Sequence, residues 1–223
     1  MGSLPAGRQE FPAPRQGMTH TTHKHILEHF KKYDPIIHTY IERIDFEEWL
    51  KPHRMQAKED YFMALCRAIV GQQLSGKAAD SIYKRFVTLL PQEKVIPENI
   101  LSLSEQTFRE VGMSWAKARY VRNLAEKVKH KDLHLNSLDA LEDSEVIKQL
   151  TQVKGIGEWT AEMFLMFTLN RPDVFSHGDL GLRKGFEKVY KRINPTRQHI
   201  EKVVIKWSPY RTYGSIALWQ SLE

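Results

Sequence analysis

One cysteine, Cys66, is present in 223 residues. A lone thiol closes no internal disulfide and cannot by itself hold a cysteine-ligated zinc or iron–sulfur cluster. Disulfide-stapled secreted scaffolds and cluster-bearing enzymes are therefore excluded, and no metal site is expected. An intracellular, reducing location (cytoplasm, nucleoid or nucleus) is the expectation. No run of about 18 uninterrupted apolar residues occurs, so neither a spanning helix nor a membrane partner is expected. Alternating strand-type patterning is also missing. Charge of one sign is not strongly in excess: Lys plus Arg number 33 against 27 Asp plus Glu, a net charge of +6 with a pI near 9.3. That balance permits a nucleic-acid partner without establishing one.

The N-terminus, "MGSLPAGRQEFPAPRQG", has Pro, Gly and Arg but no apolar centre of a signal peptide. Residues 1–18 read as a flexible leader or as added sequence, with Met18 a candidate natural start. The histidines of "HTTHKH" (20–25) have metal-like spacing, but a solvated lead-in to the first helix is the simpler reading. The whole chain is 41% hydrophobic and 27% charged, enough for a core in one domain or two small lobes.

Helical periodicity fills the chain from about residue 24. In "YFMALCRAIVG", Phe62, Leu65, Ile69 and Val70 share one face. After a break at "QQLSG", a second helix carries Ala78, Ile82 and Phe86. Ser102 and Glu105 are spaced as a capping box, and Gly112 ends the short helix before "SWAKARYVRNLAEKVKH". The segments "LDALEDSEVIKQLTQ", "LGLRKGFEKVY" and "IEKVVIKW…YGSIALWQSL" continue the pattern. The fold class expected is all-α, built of many short helices.

Residues 153–164, "VKGIGEWTAEMF", place two glycines between helical segments. A helix ending near Gln152, a turn, and a helix from Glu158 make a helix–hairpin–helix. Gly155 and Gly157 allow positive φ and let the backbone of Gly155, Ile156 and Gly157 approach a ligand closely. Uncapped N–H groups at the next helix start then suit a phosphate, with Lys154 adding charge beside them. A plain αα-turn would use the same residues. Thr160 and Ala161 are small enough for close helix packing.

With "AIVGQQLSGKAA", "GMSWAKARYVRNLA", "DVFSHGDLGLRKGF" and "WSPYRTYGSIALW" in this order, the chain resembles the helix–hairpin–helix DNA glycosylases, most closely their 3-methyladenine (alkylated-base) branch. The likeness covers most of residues 60 to 219. It implies two helical lobes, 19–58 plus 171–223 and 59–170, with the hairpin at about 144–169 and a base-binding cleft between the lobes. It also implies a monomer that grips the backbone of double-stranded DNA bearing alkylated bases, often through a monovalent cation held by hairpin carbonyls. No other cofactor is implied.

Asp179 follows a glycine at a helix start, a common N-cap position. By resemblance it also matches the family's catalytic aspartate, whose carboxylate stabilises positive charge on the sugar and orients or deprotonates water. Asp173 reads as loop structure. Lyase-active relatives carry a lysine two residues after the second hairpin glycine, where its amine forms a Schiff base. That position here is Trp159, and neither Lys154 nor Lys184 replaces the lysine in the motif. Hydrolytic, monofunctional base removal is therefore expected.

Trp159 and Tyr210 stand where the branch has aromatic pocket walls, suited to a cationic purine. Met163 departs from the tyrosine of some relatives. For the wedge that fills the space of a flipped base, Gln73 is favoured, then Leu74, with Gln72 beside them; an ordinary turn with exposed amides is the alternative. Trp115 is a candidate second wedge or a buried anchor, and Lys117 a candidate phosphate contact. Arg183 would pair with a carboxylate or reach phosphate, and His177 is expected on an exposed loop. The leading reading is a monofunctional glycosylase for alkylated purines, 3-methyladenine and 7-methylguanine. The competing readings are a glycosylase for deaminated or oxidised bases and a silent DNA-binding module.

Overall fold

The apolar stripes that the sequence spaces three and four residues apart become the inner faces of helices. The structure, a computed structural model, describes residues 20–47 and 60–223; the leader expected at 1–18 lies outside them. In chain order the α-helices are α1 (His20–Tyr33), α2 (Pro35–Ile41), α3 (Asp60–Gly71), α4 (Gly76–Thr88), α5 (Pro97–Ser102) and α6 (Glu105–Glu110). There follow α7 (Trp115–Lys129), α8 (Asp143–Leu150), α9 (Glu158–Phe167), α10 (Leu180–Tyr190), α11 (Arg197–Val204) and α12 (Arg211–Gln220). Short 3-10 turns join some of them, and no strand occurs among the described residues. The fold is all-α. No described helix is long and apolar enough to cross a membrane.

Two apolar cores form. The first gathers Phe62, Leu65, Ile69 and Val70 of α3, Phe86 of α4, the inner faces of α7 and α8, and Ala161, Phe164 and Leu165 of α9. Burial of such side chains, at about 25 cal/mol per Å² of apolar surface, is what holds these short helices. The second core joins Ile26 and Phe30 of α1, Ile37 and Ile41 of α2, and Leu182 and Phe186 of α10 to Trp207 and to Ile216 and Leu218 of α12. The chain passes from one core to the other between Val174 and Phe175, and Trp219 packs against both. α10, the helix that follows this crossing, lies against α12.

One buried carboxylate organises the second core. Asp34 accepts from the Tyr190 hydroxyl (2.6 Å), from Trp207 Nε1 (2.8 Å) and from the Ile37 amide at the start of α2 (3.3 Å). Burial, with the Asp34 charge beside it, pushes the Tyr190 hydroxyl pKa up, so it stays a donor.

Two local expectations are corrected. The N-cap of α6 is Ser104, whose hydroxyl accepts from the Thr107 amide, and not Ser102. Ser102 instead ends α5, its hydroxyl donating to the Asn99 carbonyl. The "HTTHKH" stretch is no lead-in, because α1 already begins at His20.

The hairpin runs from the end of α8 at Leu150 to the start of α9 at Glu158, and its two glycines are not equivalent. Gly155 has φ +90°, and a Cβ there would lie 2.2 Å from Cδ2 and 2.3 Å from Cγ of the Tyr120 ring. The chain thus turns left-handed directly against an aromatic face of α7, which only glycine allows. Gly157 is extended (φ −92°, ψ 174°), with nothing within 4 Å of an added Cβ. Gly155→Ala should therefore destabilise the fold by about 2–4 kcal/mol, and Gly157→Ala by about 1 kcal/mol or less. Urea unfolding of the two variants measures the difference; equal losses would contradict the assignment of the tight approach to Gly155.

Candidate functional site

Asp179 stands at the junction of the two cores as the N-cap of α10. Its Oδ1 accepts from the Leu182 amide at 2.7 Å and from Trp219 Nε1 at 3.1 Å. Its Oδ2 accepts from Trp159 Nε1 at 2.7 Å. Capping and indole contacts therefore coexist on one carboxylate. Trp159 lies on the first turn of α9, from the first core's side, and Trp219 near the end of α12. The structure thus brings together a hairpin-helix residue, a residue of the crossing loop and a residue of the last helix.

Trp159 is 46% exposed, so its ring is not core packing even though its N–H is engaged. Met163, one turn further along α9, is half-buried against the first core. Tyr210 is at the start of α12, where among the described residues its ring meets His29 (centroids 5.2 Å apart) and Tyr213 (6.2 Å). Burial pushes its hydroxyl pKa up. Tyr210 is thus tied into the edge of the second core, and no hydrogen bond or ring contact joins it to Trp159 or Asp179 among the described residues.

The turn between α3 and α4 presents Gln73 and Leu74. Gln73 has φ +57°, a conformation that costs a non-glycine residue about 1 kcal/mol or more, and its side chain is exposed. Leu74 beside it is 37% exposed. Gln72 behaves differently from the expected wedge neighbour: its Nε2 donates to the Gly155 carbonyl at 2.7 Å, fastening this turn to the hairpin. Lys117, the candidate phosphate contact, is also engaged within the protein. Its ammonium donates to the carbonyls of Val70 (2.8 Å) and Gln72 (2.6 Å), closing the C-terminus of α3, and burial lowers its pKa. Trp115 is no buried anchor. It is 46% exposed at the first position of α7, with the Arg109 guanidinium 5.5 Å above its ring.

Between these parts lies an open concavity of about 500 Å³, with Gln73, Ser114, Lys117, Tyr120 and the hairpin residues Gly155, Ile156 and Gly157 in its walls. The hairpin presents backbone here, because the Ile156 side chain is buried while Lys154 is exposed. Asn123 Oδ1 accepts from the Lys154 amide at 3.0 Å, a second tie from α7. α9 has no side-chain N-cap, unlike α7 (Ser114), α10 (Asp179) and α11 (Thr196). Its first N–H groups are thus available to an anion, favoured there by the helix dipole.

The remaining candidates are engaged in pairs of their own. Asp173 accepts from Ser208 Oγ and from the amide, Nε and Nη2 of Arg211. Burial raises its pKa, but these bonds outweigh that and hold it below the usual carboxylate range. Arg183 pairs with Glu187 on its own helix at 3.7 Å. His177 is not an exposed loop residue: its side chain is largely covered, and Nε2 meets Glu201 Oε2 at 2.7 Å.

Sequence reasoning did not single out Trp219, Asn123, Tyr120 or the Glu162–Ser176 pair. Glu162, one turn after Trp159 on α9, accepts from the Ser176 hydroxyl at 2.5 Å, linking α9 to the loop that carries Asp179. Burial raises the Glu162 pKa, and the nearby Glu158 and Asp179 charges add to that rise. No spacing signal connects residues 40 positions apart, such as Asp179 and Trp219.

Comparison with known proteins shows the family to which such a helical chain belongs. A DNA-3-methyladenine glycosylase of Saccharomyces cerevisiae is 35% identical over 229 aligned positions, covering 86% of this chain and 77% of its own. The crystal structure of DNA-3-methyladenine glycosidase from Bacillus halodurans superposes with a TM-score of 0.66 at 38% identity, over 72% of this chain and 74% of that one. The 3-methyladenine DNA glycosylase of Schizosaccharomyces pombe, solved in complex with abasic DNA, gives 0.67 at 28% identity, over 88% and 95%. Residues 66–209 match the family described as HhH-GPD superfamily base excision DNA repair protein, and the chain belongs to that helix–hairpin–helix superfamily.

Proposed function

We propose that this protein is a monofunctional DNA glycosylase. It flips alkylated purines (3-methyladenine and 7-methylguanine) out of duplex DNA and hydrolyses the N-glycosidic bond, leaving an intact abasic site. The observation that carries this reading is the Asp179 carboxylate beside the exposed Trp159 ring at the junction of the two cores. The similar proteins named for 3-methyladenine favour the alkylated-base branch.

In this mechanism the hairpin binds a phosphate through the first N–H groups of α9. The monovalent ion implied by the resemblance would take hairpin carbonyls as ligands. The Gly155 and Val153 carbonyls each accept one hydrogen bond and retain a second lone pair, so the turn fits such an ion, and no step depends on it. Gln73, strained and exposed, fills the gap left by the flipped nucleotide. The cationic purine stacks on Trp159, an attraction of about 0.5–2 kcal/mol. Its positive charge makes it a good leaving group, so it departs as a neutral base with little acid assistance. As the C–N bond breaks, charge develops on the sugar. Asp179 stabilises that cation and accepts the proton of the attacking water. No lysine amine occupies the Trp159 position, so water is the nucleophile and the strand stays whole.

Two measurements test this. Asp179→Asn should lower single-turnover release of 3-methyladenine from methylated duplex by about 10²- to 10⁴-fold; near-normal release would remove Asp179 from the chemistry. Borohydride added during turnover should trap no protein–DNA adduct, whereas a covalent adduct would show an amine nucleophile and overturn the monofunctional reading.

A further inference from the structure

We propose that Trp219 is a positioning residue for Asp179, fixing the plane of its carboxylate so that Oδ2 faces the reacting sugar. This rests on the reading that Asp179 acts on the sugar, and it adds a residue to that site.

The hydrogen-bond pattern around Asp179 is asymmetric. Oδ1 carries two N–H donors, the Leu182 amide and Trp219 Nε1, while Oδ2 carries one, Trp159 Nε1. An N-cap needs only one carboxylate oxygen, and a carboxylate held at one point can still turn about its Cβ–Cγ bond. The Trp219 bond supplies a second fixed direction at Oδ1 and the Trp159 bond one at Oδ2. The plane is thus set by α9, α10 and α12 together, with α12 adding the donor farther from the exposed platform. Oδ2 then keeps the larger share of open lone-pair capacity, and that is the oxygen nearest the Trp159 platform.

The surroundings are shaped for this contact. A Cβ on Gly181 would stand 2.9 Å from Trp219 Nε1 and 3.0 Å from Asp179 Oδ1, so the indole reaches the carboxylate only because residue 181 has no side chain. The Trp219 ring is anchored independently of that bond. It packs against both cores and meets the Phe167 ring with centroids 5.9 Å apart. The donor is therefore rigid, and it refers the carboxylate to both lobes at once. Misplacing a reacting group by about 1 Å is enough to lose about 10²-fold in rate.

The test compares Trp219→Phe, which keeps the ring and removes the N–H, with Trp219→Ala, Gly181→Ala and Asp179→Asn. Single-turnover release of 3-methyladenine, affinity for duplex carrying an abasic-site analogue, and Tm are read for each. Trp219→Phe should lower the excision rate by about 10-fold or more, with DNA affinity and Tm close to wild type. Gly181→Ala should lower the rate likewise by pushing the indole N–H off the carboxylate, with some loss of Tm because the ring is packed. Its DNA affinity should stay close to wild type, and it reads the contact if the Phe variant folds poorly. A Trp219→Phe rate equal to wild type, with only Trp219→Ala impaired in rate and Tm together, would mean that the ring acts by packing alone and would overturn the proposal. Full rate in Trp219→Phe and Gly181→Ala beside a large loss in Asp179→Asn would overturn it while leaving the proposed function standing. Full rate in Asp179→Asn would instead remove the reading on which it rests.

Discussion

Three N–H donors on one carboxylate fix the point at which the two cores of this molecule meet. Asp179 caps α10, and its two oxygens receive indole N–H bonds from Trp159 on α9 and Trp219 on α12. Those helices bury their apolar faces in different cores, so the carboxylate sits where the cores meet and is fixed by both. Hydrogen bonds to a charged group contribute about 1.5–3 kcal/mol each, enough to hold a polar group at a crossing that apolar packing alone would leave undirected. The Glu162–Ser176 bond ties the same loop to α9 from behind.

A second set of polar contacts holds the hairpin, and it explains why several residues that look like DNA contacts are inward-turned. Gln72 gives its amide to the Gly155 carbonyl, Asn123 accepts the Lys154 amide, and Lys117 closes the end of α3 by bonding the Val70 and Gln72 carbonyls. With these groups committed, the adjoining surface left to a nucleic acid includes hairpin backbone, the exposed Lys154 side chain, the strained Gln73 with Leu74, and the exposed Trp115. Such a surface suits a backbone-directed grip over base reading.

The helices were legible because their signals are local. The 3.6-residue apolar spacing, Gly112 with φ +99° at the end of α6, and the Ser114 cap each act within one turn of chain. The left-handed turn at Gly155 was legible for the same reason. Pairings between distant segments were not. Nothing in the sequence shows that Lys117 reaches Val70, that Trp219 reaches Asp179, or that His177 is covered by Glu201. Those contacts depend on how helices cross, which side-chain spacing does not encode. The shift of the α6 cap from Ser102 to Ser104 shows the remaining local ambiguity: both serines can cap, and burial of Ile100 and Phe108 on the flanking helices fixes the boundary. Asp179 was readable as a cap from its neighbours, while its possible chemistry came only with the likeness to a family.

The most direct test of this account is the fate of both products when the wild-type protein acts on methylated duplex DNA. The account predicts free 3-methyladenine in solution and a full-length strand that breaks only when the abasic site is treated with alkali. Folded protein that binds the duplex yet releases no methylated base, or that releases it with the strand already cut, would contradict it.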